Sequence, residues 1–333
     1  MLDWKSTLER PWLIALLLLW SCGKSEGTQS ASTSRDGLEE CKNFATAHCS
    51  KREECRAGEA TSLFGTLDAC IERFQEECLK ALAAATSGAT RETVAQCATT
   101  NDEAACSDYD TPGMLAGCSD VFGELEDGAE CGVSAQCQSG FCQPSPETCG
   151  TCSPRLALGD ACRATPQCGF AGLYCHPVSK TCEAYVEPGE PCTGDICAPG
   201  SSCIGANAEE AVCVPNVNEQ GESCDAEMGP DCEHALGLFC AEGSCEPALS
   251  AGEGEPCGEV DDQVYRCDSG LVCFPPVTED EIGELEHTCQ VPVADGEACD
   301  RRQGPPCLPP ATCTNHGGGN WSCELPDPAA CGG

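Results

Sequence analysis

Aromatic side chains are scarce in this chain of 333 residues, with four Trp, four Tyr and eight Phe making up 5% of it. So few rings exclude a large apolar core after Glu126. Basic residues are also few, 17 Lys and Arg against 55 Asp and Glu, and the net charge of −38 excludes nucleic acid and direct contact with anionic lipid headgroups as natural partners. Long apolar runs are missing too. The longest, Trp12 to Trp20, has nine residues and is too short to cross a bilayer as a helix. Catalytic signatures are absent: the five histidines (His48, His176, His234, His287, His316) form no HExxH, no serine sits in a G-x-S-x-G, and Gly317-Gly318-Gly319 lacks the Lys-Ser/Thr of a P-loop.

Cysteine fills the space these absences leave. Thirty-five cysteines exceed a tenth of the chain, which marks a disulfide scaffold in an oxidising compartment. From Gly128 to Cys323 one small unit is written six times, each opening with a glycine three residues before a cysteine. The four cysteines of the later units are Cys162, Cys168, Cys175 and Cys182, then Cys192, Cys197, Cys203 and Cys213, then Cys224, Cys232, Cys240 and Cys245. Next come Cys257, Cys267, Cys273 and Cys289, and last Cys299, Cys307, Cys313 and Cys323. The first unit has five, Cys131, Cys137, Cys142, Cys149 and Cys152, and Cys331 follows the sixth. Successive first cysteines lie 31, 30, 32, 33 and 42 residues apart, the period of one small module. Segments of about 30 residues cannot be held by apolar burial alone and need crosslinks. Gly and Pro punctuate them every few residues, which predicts turns, short β-hairpins and irregular loops.

The region before the repeats predicts helices. Leu38, Cys41 and Ala45 begin one stripe, and Cys70, Phe74, Cys78 and Leu82 form a second at i,i+4 steps, with Glu and Lys on the other face. Ser87-Gly88 ends that helix, and Thr90 caps a third carrying Val94 and Cys97. Eight cysteines fall here (Cys41, Cys49, Cys55, Cys70, Cys78, Cys97, Cys106, Cys118), an even set that predicts a bundle stapled by four disulfides over 38–118. Two cysteines on one face of the middle helix are expected to tie it to both neighbours. The acidic stretch 119–127 reads as a linker, and the repeats occupy 128–333.

At the N-terminus, Lys5 and Arg10 precede the apolar run, which ends in Leu19-Trp20-Ser21-Cys22. This resembles the bacterial lipobox, with Trp20 where a small or aliphatic residue is usual. The resemblance implies that residues 1–21 are a signal peptide and that Cys22 is lipidated, anchoring the protein to a membrane. Gly23 after Cys22 is not the aspartate that retains enteric lipoproteins at the inner membrane, so the resemblance implies the outer membrane. Committing Cys22 to lipid leaves thirty-four cysteines, an even number that can all pair. Residues 22–37 then form a flexible tether, about 20 Å on average for fifteen polar residues.

The first unit spaces its cysteines as Cys131-x5-Cys137-x4-Cys142-x6-Cys149-x2-Cys152-x9-Cys162, with Gly140-Phe141 before the third. Over about fifty residues this resembles the N-terminal cysteine-rich domain of the Dickkopf family, without that family's adjacent Cys-Cys pair. Together with the lipobox and the helical segment, the chain looks like the cysteine-rich lipoproteins of myxobacteria and related bacteria. That resemblance implies a cell-envelope location and no activity. Four cysteines allow three connectivities; similarity to EGF-like modules implies first-to-third and second-to-fourth, leaving Cys152 and Cys331 over to pair with each other.

The expected protein is therefore a non-catalytic envelope lipoprotein with no cofactor, displaying acidic loops towards cationic polymers or proteins and, weakly, divalent cations. Carboxylate clusters at Asp261-Asp262 and Glu279-Asp280-Glu281, with Asn216-Val217-Asn218-Glu219, are the residues that favour a divalent ion, although none makes an EF-hand. Two alternatives stand beside this reading. One is a secreted eukaryotic binding protein, for which Asn320-Trp321-Ser322 is a glycosylation sequon. The other is a thiol–disulfide oxidoreductase using Cys149-Gly150-Thr151-Cys152, although no βαβ pattern surrounds that pair.

Overall fold

A computed structural model of the chain describes residues 37–331 apart from 57, 111–117, 119–120, 146–148, 170–171, 193–195, 206–209, 226–227, 261–262, 275–286, 301–303 and 326. The leader, Cys22, the tether before Gly37 and the acidic clusters at 261–262 and 279–281 lie outside the described residues. Five helices come first: α1 (Leu38–Cys55), α2 (Glu59–Phe64), α3 (Leu67–Ala83), α4 (Arg91–Glu103) and α5 (Cys106–Asp110). Threonine starts two of them. The Thr66 hydroxyl accepts from Ala69 N at the head of α3, and the Thr90 hydroxyl accepts from Thr93 N at the head of α4. Among the described residues no helix is long and apolar enough to cross a membrane.

The disulfides of α3 both run to α1, as Cys41–Cys78 and Cys49–Cys70. This corrects the expectation that they would divide between two neighbours. The reason lies in the spacing: the cysteines stand eight residues apart in each helix, about 12 Å of rise, so two antiparallel helices present matching rungs. Cys55–Cys106 ties α1 to α5, and Cys97–Cys118 fastens the chain after α5 back to α4. Without a direct disulfide, α4 packs along α1, and Arg91 Nε donates to Glu40 Oε1 at 2.8 Å.

Beyond α5 the described chain is built mainly from short antiparallel strand pairs, with one parallel pairing, Leu249–Ala251 along Tyr265–Cys267. Cys142–Gln143 pairs with Gly150–Cys152, Leu173–Cys175 with Cys182–Ala184, and Ser201–Ile204 with Val212–Pro215. Leu238–Ala241 pairs with Ser244–Pro247, Val272–Phe274 with Thr288–Gln290, and Thr312–Asn315 with Trp321–Glu324. In each pair two cysteines face one another across the strands, for example Cys175 and Cys182 or Cys313 and Cys323. They are not bonded to each other. Side chains opposite one another project from the same face of a hairpin, and both sulfurs reach back to the N-terminal half of the unit. The third cysteine takes the first, as in Cys162–Cys175, and the last takes the second, as in Cys168–Cys182. The same crossing recurs in Cys192–Cys203 with Cys197–Cys213, Cys224–Cys240 with Cys232–Cys245, Cys257–Cys273 with Cys267–Cys289, and Cys299–Cys313 with Cys307–Cys323. The bonded cysteines, with a few apolar side chains packed against them, are the core of each unit.

The unit glycine has a backbone role. Gly128, Gly159, Gly189, Gly221, Gly254 and Gly296 all have φ between 79° and 91°, and open space surrounds each, so conformation rather than crowding requires glycine there. Its N–H donates to the carbonyl of the closing cysteine at 2.7–2.8 Å, as in Gly159 to Cys182 and Gly296 to Cys323. The closing cysteine returns a bond to the residue after the glycine, as Cys182 N does to Asp160 O.

In the first unit this lock falls on Cys152: Gly128 N donates to Cys152 O and Cys152 N to Ala129 O. Cys152 therefore closes the unit, bonded to Cys137, while Cys131 takes Cys142. Cys149 is the supernumerary cysteine and pairs with Cys331 across 182 residues. The expectation of a Cys152–Cys331 bond is thereby corrected.

The stretch expected to be a linker is also part of the packing. Glu124 N donates to Thr86 O, Gly88 N to Ala135 O, and Leu125 bridges to Cys137. Leu156, Val186, Val217 and Val293 bridge to the second cysteine of their own units in the same way, so each unit begins three or four residues before its glycine. The later units return to the helices. Gly270 N donates to Ser62 O, Ser269 Oγ to Thr61 O, and Leu308 packs on the cluster formed by Phe64, Phe74 and the Cys49–Cys70 bond. Arg73 on α3 forks onto the Asp295 carboxylate and donates to the carbonyls of Leu308 and Pro309.

A candidate binding cavity at the bundle edge

The aromatic rings of the helical bundle are gathered in one place. His48 lies against Phe44, Phe74 and Tyr109, with ring centroids 5.9, 4.5 and 5.8 Å away, and Phe64 meets Phe74 edge-on. Burial lowers the His48 pKa from 6.5 to about 4; the Arg52 and Arg56 charges add to this, while Asn101 and Glu59 oppose it. Above pH 6.5 the ring is neutral folded and unfolded, and its burial carries no proton cost. As pH falls from 6.5 towards about 4, the unfolded chain takes up a proton that the folded chain refuses, so stability is lost over that window. The full loss is roughly 3 kcal/mol. We expect the His48 ring resonances to titrate with a midpoint near 4, and a midpoint near 6.5 would contradict the packing.

Beside this cluster, between the bundle and the first two units, is a cavity of about 810 Å³. Phe74, Glu77, Cys78 and Ala81 reach it from α3 at i, i+3, i+4 and i+7, one stripe of the helix; Phe44 comes from α1 and Val94 from α4. Val133, Phe141 and Pro166 close it from the units. The wall is mostly apolar, and its charged side chains among the described residues are Glu77, Arg155 and Arg163. Glu77 was expected on the polar face of its helix. It instead borders the apolar stripe, and burial raises its carboxyl above the usual range against the pull of Arg73 and Lys80. Arg155 is fixed by donating to Gly140 O at 3.0 Å and Gly169 O at 3.2 Å, which joins the first unit to the second. Arg163 is exposed, and its side chain makes no hydrogen bond or ion pair among the described residues.

The comparisons with known proteins were negative. No protein-family model, curated protein or solved structure matches this chain.

The other candidate residues from the sequence fall as follows. Cys149 and Cys152 are not bonded to each other but to Cys331 and Cys137. All thirty-four cysteines from Cys41 to Cys331 are in seventeen disulfides. Triplets of sulfurs such as those of Cys162, Cys168 and Cys182 lie within 4.8 Å of one another, but bonding into disulfides leaves no thiolate to ligate a metal. Asn216 spends its amide inside the fold, accepting from Ser202 Oγ and donating to Glu233 Oε2.

Sequence reasoning missed Gln136, Arg73, Arg155 and the cavity. Gln136 is 1% exposed; its Oε1 accepts from Gly132 N and Val133 N, and its Nε2 donates to Thr86 Oγ1, Pro328 O and Cys331 O. A signal was there: glutamine also precedes the second cysteine of the next unit, where Gln167 Oε1 accepts from Arg163 N and Ala164 N. The Gln136 contacts to Pro328 and Cys331 cross more than 190 residues and left no mark in the local pattern.

Proposed function

We propose that this is a non-catalytic cell-envelope lipoprotein, anchored through Cys22 to the outer membrane, whose six units are tandem modules displaying acidic loops to cationic polymers or proteins. The observation that carries this is the charge on a crosslinked frame. Residues 127–333 hold 34 acidic and 6 basic side chains, net −28, against −10 for residues 22–126. Loops held by disulfides rather than by a deep core suit display, and their field draws in cations while repelling anionic membrane. The envelope resemblance and the heavy disulfide content support the location. Display is favoured over spacing, because the Cys149–Cys331 bond brings the end of the sixth unit to the first instead of leaving the units strung out.

The oxidoreductase alternative has little to support it, since a dithiol mechanism needs Cys149 and Cys152 as partners and each is bonded elsewhere. Full-length protein should bind poly-L-lysine, with affinity falling steeply between low salt and physiological salt, where exposed charges are screened over about 8 Å. Salt-insensitive binding would sink the electrostatic reading, and disulfide-exchange turnover that disappears in Cys149→Ser would sink the non-catalytic one. For the anchor, Cys22→Ser should move the protein from the membrane fraction to the soluble one. Wild-type protein without an acyl chain at Cys22 would remove that part.

A further inference from the structure

The cavity beside α3 carries an inference separate from the acidic display. We propose that it binds one long-chain carboxylic acid, with the chain against Phe44, Phe74 and Phe141 and the carboxylate at Arg163. Its volume of about 810 Å³ and mostly apolar wall are those of a small-molecule site, which typically spans about 300–1,000 Å³ with a few polar groups fixing orientation. The charges on that wall run against those of the rest of the molecule. Residues 127–333 contain only six basic side chains, and two of them, Arg155 and Arg163, line this one cavity; among the described residues no acidic side chain of the same region does.

The two arginines differ in a useful way. Arg155 is held by two carbonyls, which orient its guanidinium. Arg163 stands exposed at the mouth with its side chain unengaged among the described residues, and it can take a carboxylate in its fork. The one acid on the wall among the described residues is Glu77 on α3, on the bundle side of the cavity, whose carboxyl burial raises above the usual range. A cationic amphiphile would meet two guanidiniums there. A bilayer of anionic lipid is repelled by the net charge of −38, so the ligand is a single free acid rather than a lipid surface.

The test uses the full chain with Cys22→Ser, so that neither a protein-borne acyl chain nor detergent competes. Oleate, titrated calorimetrically below its aggregation concentration, should bind saturably at one per chain. Arg163→Glu should weaken it at least tenfold; this side chain is exposed and unengaged, so the fold survives, with the seventeen disulfides checked by intact mass. Val94→Trp, which fills the cavity from α4, should remove binding. Oleylamine, with the same chain and the opposite charge, should bind at least tenfold more weakly, and phosphatidylglycerol vesicles should not retain the protein. The proposal is overturned by no saturable oleate binding, by equal or tighter oleylamine binding, by an unchanged affinity in Arg163→Glu, or by retention on the vesicles. None of these outcomes bears on poly-L-lysine binding.

Discussion

The double variant Cys149→Ser/Cys331→Ser is expected to lose about 4–5 kcal/mol of resistance to unfolding, more than the loss of any disulfide inside a unit. In the chain-entropy account, stabilisation by a disulfide grows with the logarithm of the loop it closes. The Cys149–Cys331 loop spans 182 residues, whereas Cys192–Cys203 spans 11, for which the same account gives about 3 kcal/mol. The other disulfides shorten the effective loop of the unfolded chain, but a logarithm makes this a small correction. The two losses should also differ in kind. Removing Cys192–Cys203 should loosen one unit locally, while removing Cys149–Cys331 should lower the unfolding temperature of the whole and raise hydrogen exchange where the chain end meets the first unit. Non-reducing digestion gives a prior check, since it should yield a peptide linking Cys149 to Cys331. A peptide in which Cys149 is bonded to Cys152 would refute the pairing and reopen the redox reading.

Gln136→Leu is expected to cost about 3–5 kcal/mol, an unusually large effect for a polar residue outside any catalytic site. The amide joins three segments: its own turn through Gly132 N and Val133 N, the loop after α3 through Thr86 Oγ1, and the chain end through Pro328 O and Cys331 O. Leucine fills similar space but leaves these donors and acceptors buried without partners, at about 1–3 kcal/mol for each group that water cannot reach. The chain end cannot withdraw to relieve the loss, because Cys331 is covalently held and Pro328 lies on Gly132, where an added Cβ would come within 2.6 Å of Pro328 Cα. The expected signature is faster hydrogen exchange at 132–137 and 329–331, with the third and fourth units unchanged. Unchanged protection at Gly132 and Val133 would show that the amide does not hold the junction. Gln167→Leu is the internal comparison. It removes the same turn bonds from a half-buried site that water can reach and should cost about 1 kcal/mol or less.

Much of this protein is determined within spans of about thirty residues, and that part is legible in the sequence. The eight-residue spacing in Cys41/Cys49 and Cys70/Cys78 contains the ladder between α1 and α3, although the sequence reading divided those bonds between two neighbours. Thr90 marks the start of α4, and the glycine three residues before each first cysteine marks a turn that only positive φ satisfies. Such features follow from helix rise, backbone sterics and the reach of a disulfide, all of which act locally. The long-range arrangement is different. Whether Cys149 or Cys152 meets Cys331, that Leu308 completes the bundle core, that Arg73 finds Asp295, and that Phe141 closes a cavity over Phe74 all depend on how six successive units are oriented against one another. A small change in angle at each junction accumulates along the chain, so no local pattern records where its end arrives. Gln136 and Gln167 occupy the same place in their units and make the same turn, yet only Gln136 is buried under the returning chain end, a difference that only the tertiary structure decided.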